Sequence, residues 1–398
     1  MKPDAKPHAK TRVNAHAQSS VHTTPHTTPN TTPHMTASAN ERRAFQATRA
    51  RETLVHAFES VIARPHEITI GSAHGRVNLI GDHVDYAGGL VLPIATPETT
   101  SVAIAAVCGH EDHFTSAFSG DPSWSRYARG VITELRLLGI DVPPIALAVA
   151  SDVPVGAGLS SSAALEIAVA RAALALVGRT MPPADIARLA QRAEHVHAGV
   201  PCGIMDQWCV AHADPDAERR DAILLDCARQ KHEVVALPAT LRIEVMDSGM
   251  RHALRDGGYA ARRRDVFEAA ERLSRPVEDL ASASEAEVAR LPLQLARRAR
   301  HVVTEVARVR AAVEALRSED LAHFGRLLQE SHLSLRDDFD VSTPEVDRVV
   351  DEAMARGALG ARMTGGGFGG CVVAAFSVVP GAENPGTENP CTEKSQRF

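Results

Sequence analysis

The 398-residue sequence predicts an α+β fold. Strand-like apolar segments and amphipathic helices are mixed along the chain without strict βαβ alternation. Glycine-rich polar turns punctuate the apolar segments at 74–89, 154–162 and 364–371. Hydrophobic residues make up 44% and charged residues 23%, the balance of a soluble globular chain. At about 150 residues per domain, the ordered part is long enough for two domains sharing one interface.

Each element has its own signal. Residues 41–63 carry Phe45, Leu54, Phe58 and Ile62 at helical spacing. "RVNLIG" and "GLVLPIA" read as short strands around a polar turn, and "TSVAIAAVC" is β-compatible. "SWSRYARGVITELRLLG" is a helix closed by Gly139. The stretch from Pro144 to Gly178 reads as a strand, a glycine loop and a long apolar helix, and 182–199 as one further helix. "IEVMDSG" is a strand and "YAARRRDVFEAAERL" a helix, with more helices to about 330. "TPEVDRVVDEAMARG" is a helix and "CVVAAFSVV" a strand.

The two ends differ in character. Residues 1–40 hold the Thr-Pro-His near-repeat "VHTTPHTTPNTTPH", and 380–398 is Pro- and Gly-rich with a near-duplicated "ENPGTENPCTE". Neither has apolar periodicity to offset chain entropy, so both are expected to be disordered tails. A net charge of −6 and a pI near 6.3 argue against a nucleic-acid partner. Apolar runs are too short for a membrane span. The six cysteines include no Cys-x-x-Cys pair, so reduced thiols in a cytoplasmic protein are expected.

No Gly-x-x-x-x-Gly-Lys-Ser/Thr occurs, which excludes a standard P-loop. "TGGGFGGC" at 364–371 matches Gly-x-Gly-x-x-Gly formally, but a strand follows it where a dinucleotide fingerprint needs a helix. A tight hairpin or a close backbone approach explains it better. "PVGAGLSSSAALE" at 154–166 has the stronger context, lying between an apolar strand and a long helix. Gly156 and Gly158 let the backbone bend, and Ser160, Ser161 and Ser162 open the helix where N–H groups lack partners and the dipole favours anions. One serine would suffice for a cap; three after Gly-x-Gly point to phosphate.

Together, "GRVNLIGDHVDYAGGLVLP" (75–93), "PVGAGLSSSAALE" and "TGGGFGGC" resemble the galactokinase branch of the small-molecule kinase superfamily that also holds homoserine and mevalonate kinases. "AEHVHAGVPCGIMDQ", "DSGMRHALRDGGYAARRR" and "LRDDFDVSTPEVD" are similar to family segments too, so the likeness runs from about 45 to 379. The resemblance implies an N-terminal domain at 41–240, a C-terminal domain at 241–379 and an active site in the cleft between them. ATP and Mg²⁺ are the implied cofactors, and a small-molecule sugar is the partner. The ATP phosphates would lie on the loop Gly156, Ala157, Gly158, Leu159, Ser160, Ser161 and Ser162. Ser116, Trp124 and Tyr127 match nucleotide-pocket positions. Ser162 and Glu194 match metal ligands. Asp206 matches the residue that accepts the proton of the anomeric hydroxyl, and Arg76 its charged partner. Asp82, His83, Val84, Asp85, Gly203 and Tyr259 match the sugar contacts. The chemistry is coherent: phosphoryl transfer needs positioning and charge neutralisation, and a serine hydroxyl with a carboxylate suits Mg²⁺. His195 and His197, at i and i+2 on a helix, point apart and receive no role.

Two departures stand out. Asp82 lies where galactokinases usually have glutamate, and loss of one methylene withdraws the carboxylate by about 1.5 Å, one C–C bond. Galactose is the expected substrate; a galacturonate-like or N-acetylgalactosamine-like sugar and a non-catalytic sugar and nucleotide sensor are the alternatives. The intact serine loop, with Asp206 and Arg76, favours an enzyme. The final helix and strand of the family are expected to be absent, leaving an exposed sheet edge.

Overall fold

The computed structural model describes residues 38–118, 122–213, 221–250, 257–378 and 395–397. The first tail, 1–37, and most of the second lie outside them.

The chain enters through α1 (Ala39–Phe58), whose start is closed by Ser38 and Glu41 in a reciprocal capping box. Seven strands follow before residue 236: β1 (Thr69–Asn78), β2 (Leu90–Val91), β3 (Pro93–Ala106), β4 (His113–Ser116), β5 (Ile145–Ser151), β6 (Ala222–Asp226) and β7 (Lys231–Val235). They form one sheet of order β2-β6-β3-β5-β4, with β1 also on β3 and β7 also on β6. Every pairing in it is antiparallel except that of β4 with β5. Four helices intervene: α2 (Ser125–Leu137), α3 (Ser161–Leu176), α4 (Pro183–Ala193) and α5 (Met205–His212). After residue 240 come β8 (Leu241–Asp247), α6 (Gly258–Arg272), α7 (Glu285–Val288), α8 (Leu293–Arg317), α9 (Leu321–Asp337), α10 (Pro344–Ala355), β9 (Gly360–Thr364), β10 (Cys371–Ser377) and β11 (Ser395–Arg397). The four strands among them form a second sheet, β11-β8-β10-β9.

Strand β1 starts well before the "RVNLIG" expected from sequence. Its first seven residues, "TIGSAHG", include Gly71, where α3 lies on the strand: a Cβ there would sit 2.2 Å from the Ala168 carbonyl oxygen and 2.5 Å from the Ala172 nitrogen. The register shifts between His74 and Arg76, a bulge that re-aims the side chain following Gly75. The two expected strands after the polar turn are largely one, since β3 runs unbroken through Pro97. The helix expected over 182–199 is also revised. It changes at Glu194 into a π-turn, Glu194–Ala198, that ends at Gly199 with φ 73°. The C-terminal tail is corrected for three residues: Ser395–Arg397 pair antiparallel with Met246, Val245 and Glu244 on the outer edge of β8.

The largest apolar cluster runs from Ala73 on β1 to Phe376 on β10 and includes Val84, Tyr86 and Ala87 of the polar turn with Val302, Phe339 and Val372. Both sheets and their helices therefore share one core. No helix among the described residues is long and apolar enough to cross a membrane, and no disulfide joins the described cysteines.

Candidate active site

The bulge in β1 directs Arg76 inward, where its side chain is 5% exposed. Its Nε donates to Asp206 Oδ1 at 2.8 Å and Nη2 to the same oxygen at 2.5 Å. Its Nη1 donates to the Gly158 carbonyl at 2.6 Å. The arginine thus ties the first turn of α5 to the 154–162 loop. Burial alone would lower the Arg76 pKa; Asp206, with smaller contributions from Asp82 and Cys209, outweighs it and leaves it raised. Ser160 completes the group, donating its hydroxyl to Asp206 Oδ2 at 2.5 Å.

Ser160 occupies the N-cap position of α3 in the left-handed region, φ 55°, and its side chain makes no capping bond. The hydroxyl that would cap the helix is spent on Asp206, so the first N–H groups of α3 remain available to an anion. Ala157 and Leu159 are buried in the core, so only their backbone can meet a ligand. Ser161 and Ser162 stay partly exposed at the helix start.

Ser162 hydrogen-bonds Glu194, the first residue of the π-turn, which is 5% exposed. Gln207 donates its amide to Glu194 Oε2 at 2.6 Å and reaches Glu166 Oε2 at 3.4 Å. The Cys202 thiol also points at Glu194 Oε2, at 3.6 Å. Burial and then the Asp206 charge push the Glu194 carboxyl up to about 7. Burial and then Glu194 push Glu166 well above the carboxylate range. Acids and amides, not cations, dominate around this pair. A hydroxyl and a buried carboxylate with uncompensated charge are hard oxygen donors, and they fit Mg²⁺. Glu166, fully buried with Oε1 lacking a partner, and Gln207, which orients the Glu194 carboxylate, carry no motif signal of their own. Spacing could have suggested Glu166, which lies four residues after Ser162 on the same face of α3.

The polar turn lies beside this group, with Asp206 among the charges acting on Asp85. Asp85 stands at the mouth beside Gly203: a Cβ on Gly203 would overlap Asp85 Oδ2 at 1.7 Å, so only glycine lets the carboxylate sit there. Burial and then Asp206 raise the Asp85 pKa to about 7. His83, at φ 62°, donates Nε2–H to the Gly366 carbonyl at 3.2 Å and accepts the Tyr86 hydroxyl on Nδ1 at 3.1 Å. That fixes its tautomer, and burial lowers its pKa to about 3, so the ring is neutral. Tyr259 on α6 packs against His83 and Tyr86, with ring centroids 5.3 and 5.9 Å away. Val84 is different. Its side chain is fully buried and its carbonyl accepts from Ala87 and Gly89, so its side chain has no part in a ligand site. Asp82 is 2% exposed and its carboxylate turns toward β9 and the glycine loop.

Ser116, Trp124 and Tyr127 lie on the β4–α2 segment. Trp124 meets Phe118 edge-on at 6.3 Å, and Tyr127 on α2 is half-buried with Glu194 among the charges acting on it. Ser116 ends β4 and donates to the Phe118 carbonyl at 2.9 Å, leaving only its lone pairs for a ligand. The two histidines without an assigned role have structural partners: His195 Nε2 lies 2.8 Å from the Cys202 carbonyl and His197 Nε2 3.0 Å from Glu134 Oε1.

An open helix start, a hydroxyl–carboxylate pair and an arginine-held aspartate beside a polar turn are the parts a small-molecule kinase needs. The chain matches the family models "GHMP kinases N terminal domain" over residues 126–214 and "GHMP kinases C terminal" over 312–385. It also matches "Galactokinase galactose-binding signature" over 56–106, and it belongs to the galactokinase family. A galactokinase of Roseiflexus sp. (strain RS-1) is 40% identical over 330 residues, covering 78% of this chain and 83% of the relative. The Homo sapiens galactokinase is 38% identical over 345 residues, covering 80% and 86%. The crystal structure of Lactococcus lactis galactokinase complexed with galactose superposes with a TM-score of 0.74 at 31% identity, covering 81% of this chain and 89% of that one.

Proposed function

We propose that the chain transfers the γ-phosphoryl group of ATP to the anomeric C1 hydroxyl of galactose, giving galactose 1-phosphate and ADP. The observation that carries this reading is the Arg76–Asp206–Ser160 group, joined through Gly158 to the phosphate loop. Asp206 orients the sugar hydroxyl and takes its proton as the oxygen attacks the γ-phosphorus. Arg76 holds the carboxylate and offsets charge that develops on the attacking oxygen. Asp85, His83 and Tyr259 orient the ring, with the Gly203 backbone beside Asp85. Backbone N–H groups of 156–162 receive the phosphates, and Trp124 and Tyr127 line the adenine side. Ser162 and Glu194 would hold Mg²⁺, which would supply charge neutralisation for the phosphates. The thiols and the absence of a disulfide among the described cysteines support a cytoplasmic setting.

The test is ATP turnover over galactose, galacturonate, N-acetylgalactosamine and glucose. Galactose should be phosphorylated fastest, and Asp206→Asn should lower kcat by about 10²–10⁴-fold, the range for a general base. Turnover on none of the sugars, with sugar binding retained, would leave a sensor instead. Preference for galacturonate or N-acetylgalactosamine would move the substrate to a C6- or C2-modified sugar.

A further inference from the structure

Gln207 follows Asp206 on the first turn of α5 and is fully buried. Its Nε2 donates to Glu194 Oε2 at 2.6 Å and lies 3.4 Å from Glu166 Oε2. Both neighbours are carboxylate oxygens, so the amide must present its NH₂ group to them. The Cys202 thiol points at the same Glu194 oxygen, at 3.6 Å. Both donors thus gather on Oε2, one of the two Glu194 oxygens. The arrangement is a liability for the fold. The Gln207 side-chain carbonyl and Glu166 Oε1 are buried with no hydrogen-bond partner, and an orphaned buried acceptor is costly. An apolar side chain of the same size at 207 would avoid that cost. A buried amide kept between two carboxyl groups, with its own oxygen unsatisfied, needs a functional account.

We infer that Gln207 is a positioning residue for the metal: by occupying Oε2 it makes Glu194 a one-oxygen ligand, and it thereby selects Mg²⁺ over the larger Ca²⁺. The inference rests on the kinase reading above, in which Ser162 and Glu194 hold the metal. Mg²⁺ demands near-ideal octahedral geometry, keeps several waters and uses few carboxylate oxygens. Ca²⁺ takes more oxygens at longer distances and readily binds both oxygens of one carboxylate. A Glu194 with one oxygen already engaged suits the first ion and handicaps the second. Groups behind a metal ligand fix its orientation, and losing one costs about 10–100-fold in metal affinity.

The experiment compares the wild-type chain with Gln207→Met, which keeps the length of the side chain and removes the amide. Calorimetry measures the affinity for a non-hydrolysable ATP analogue in EDTA, in saturating Mg²⁺ and in saturating Ca²⁺. Each metal's contribution is the ratio to the metal-free value. In the wild type the Mg²⁺ ratio should exceed the Ca²⁺ ratio. In Gln207→Met the Mg²⁺ ratio should fall about tenfold or more. The Ca²⁺ ratio should hold or rise, because Oε2 becomes free, so the preference for Mg²⁺ falls about tenfold as well. Metal-free nucleotide affinity and galactose affinity should stay within about twofold of wild type. A purely structural defect would lower the melting temperature and the active fraction but leave both ratios of the folded molecules unmoved; that result overturns the inference. Equal falls with the two metals overturn it too, as does a wild type that gains as much from Ca²⁺ as from Mg²⁺. Should Gln207→Met fail to fold, Gln207→Asn keeps the amide but withdraws it by about 1.5 Å, one C–C bond, and is judged by the same ratios. Failure of the kinase reading is distinguishable, because the wild type would then gain nothing from either metal and would turn over ATP with none of the sugars.

Discussion

In the proposed sugar clamp, Asp85 is a side chain whose charge state changes near neutral pH. Its carboxyl is raised from an ordinary 3.8 to about 7, first by burial and then by Asp206. A folded-state value above the unfolded one contributes stability that is complete below pH about 4 and is lost as the pH rises through about 7. Sugar binding has the opposite sign, because the ionised carboxylate is the stronger acceptor for hydroxyl groups. Galactose affinity, measured without nucleotide or metal, should therefore rise as the pH passes upward through about 7, by up to about tenfold for one charge-assisted bond. In Asp85→Asn the profile should be flat. Titration calorimetry from pH 5.5 to 8.5 checks both, and an unchanged slope in the variant would remove Asp85 from the clamp. The residues involved were legible in sequence because "DHVDY" and "PCGIMDQ" are short local motifs. What could not be read was the fit between them, such as Asp85 Oδ2 occupying the place of a Gly203 side chain. Gln207 and Arg362 escaped for the same reason: their partners Glu166 and Asp82 lie 41 and 280 positions away (207 − 166 and 362 − 82).

At the scale of elements, α3 is built to give up its own cap. The strand–loop–helix order was legible from "PVGAGLSSSAALE", but three serines in a row do not say which one bends backward. Ser160 does, at φ 55°, and its hydroxyl reaches Asp206 instead of the helix N–H groups. A left-handed conformation costs a non-glycine residue about 1–2 kcal/mol. Ser160→Gly and Ser160→Ala both delete the hydroxyl, but only glycine relieves the backbone. Ser160→Gly should therefore be the more stable variant, by about 1 kcal/mol, while both lose kcat to a similar degree. Chemical denaturation and steady-state kinetics on the pair separate strain from chemistry. Equal stability of the two variants would mean that the backbone holds no strain at this position. The π-turn at Glu194–Ala198 tells a related story. Apolar periodicity continues through 182–199, so nothing in the sequence announced it, and such turns recur where a helix must re-aim a functional side chain.

For the whole molecule, length suggested two domains, and the two sheets do divide between residues 235 and 241. Periodicity cannot reveal how faces from distant segments combine, and here they combine into one core. The cluster that contains Val84 and Tyr86 of the sugar turn also contains Val302 on α8, Phe339 after α9 and Val372 on β10. Polar bonds stitch the same boundary: Gly81 N–H donates to Glu305 Oε1 at 3.0 Å, Arg362 pairs with Asp82, and Thr364 donates to the Asn78 carbonyl. Burial alone would raise Glu305, but Arg308, His301 and Arg362 outweigh it and hold the carboxyl at about 2, so this anchor stays charged at neutral pH. Neither half can unfold without exposing apolar surface of the other and stranding the Asp82–Arg362 and Glu305 charges, a costly outcome for buried groups. The protein should therefore melt in a single calorimetric transition despite its two sheets. Because the proposed ligands lie across the boundary, galactose and a non-hydrolysable ATP analogue should shift that whole transition upward. Each ligand present at a hundredfold excess over its Kd adds about 2.7 kcal/mol. Two transitions, with only one of them responding to ligand, would show that the halves are thermodynamically separate and that the shared core does not couple them.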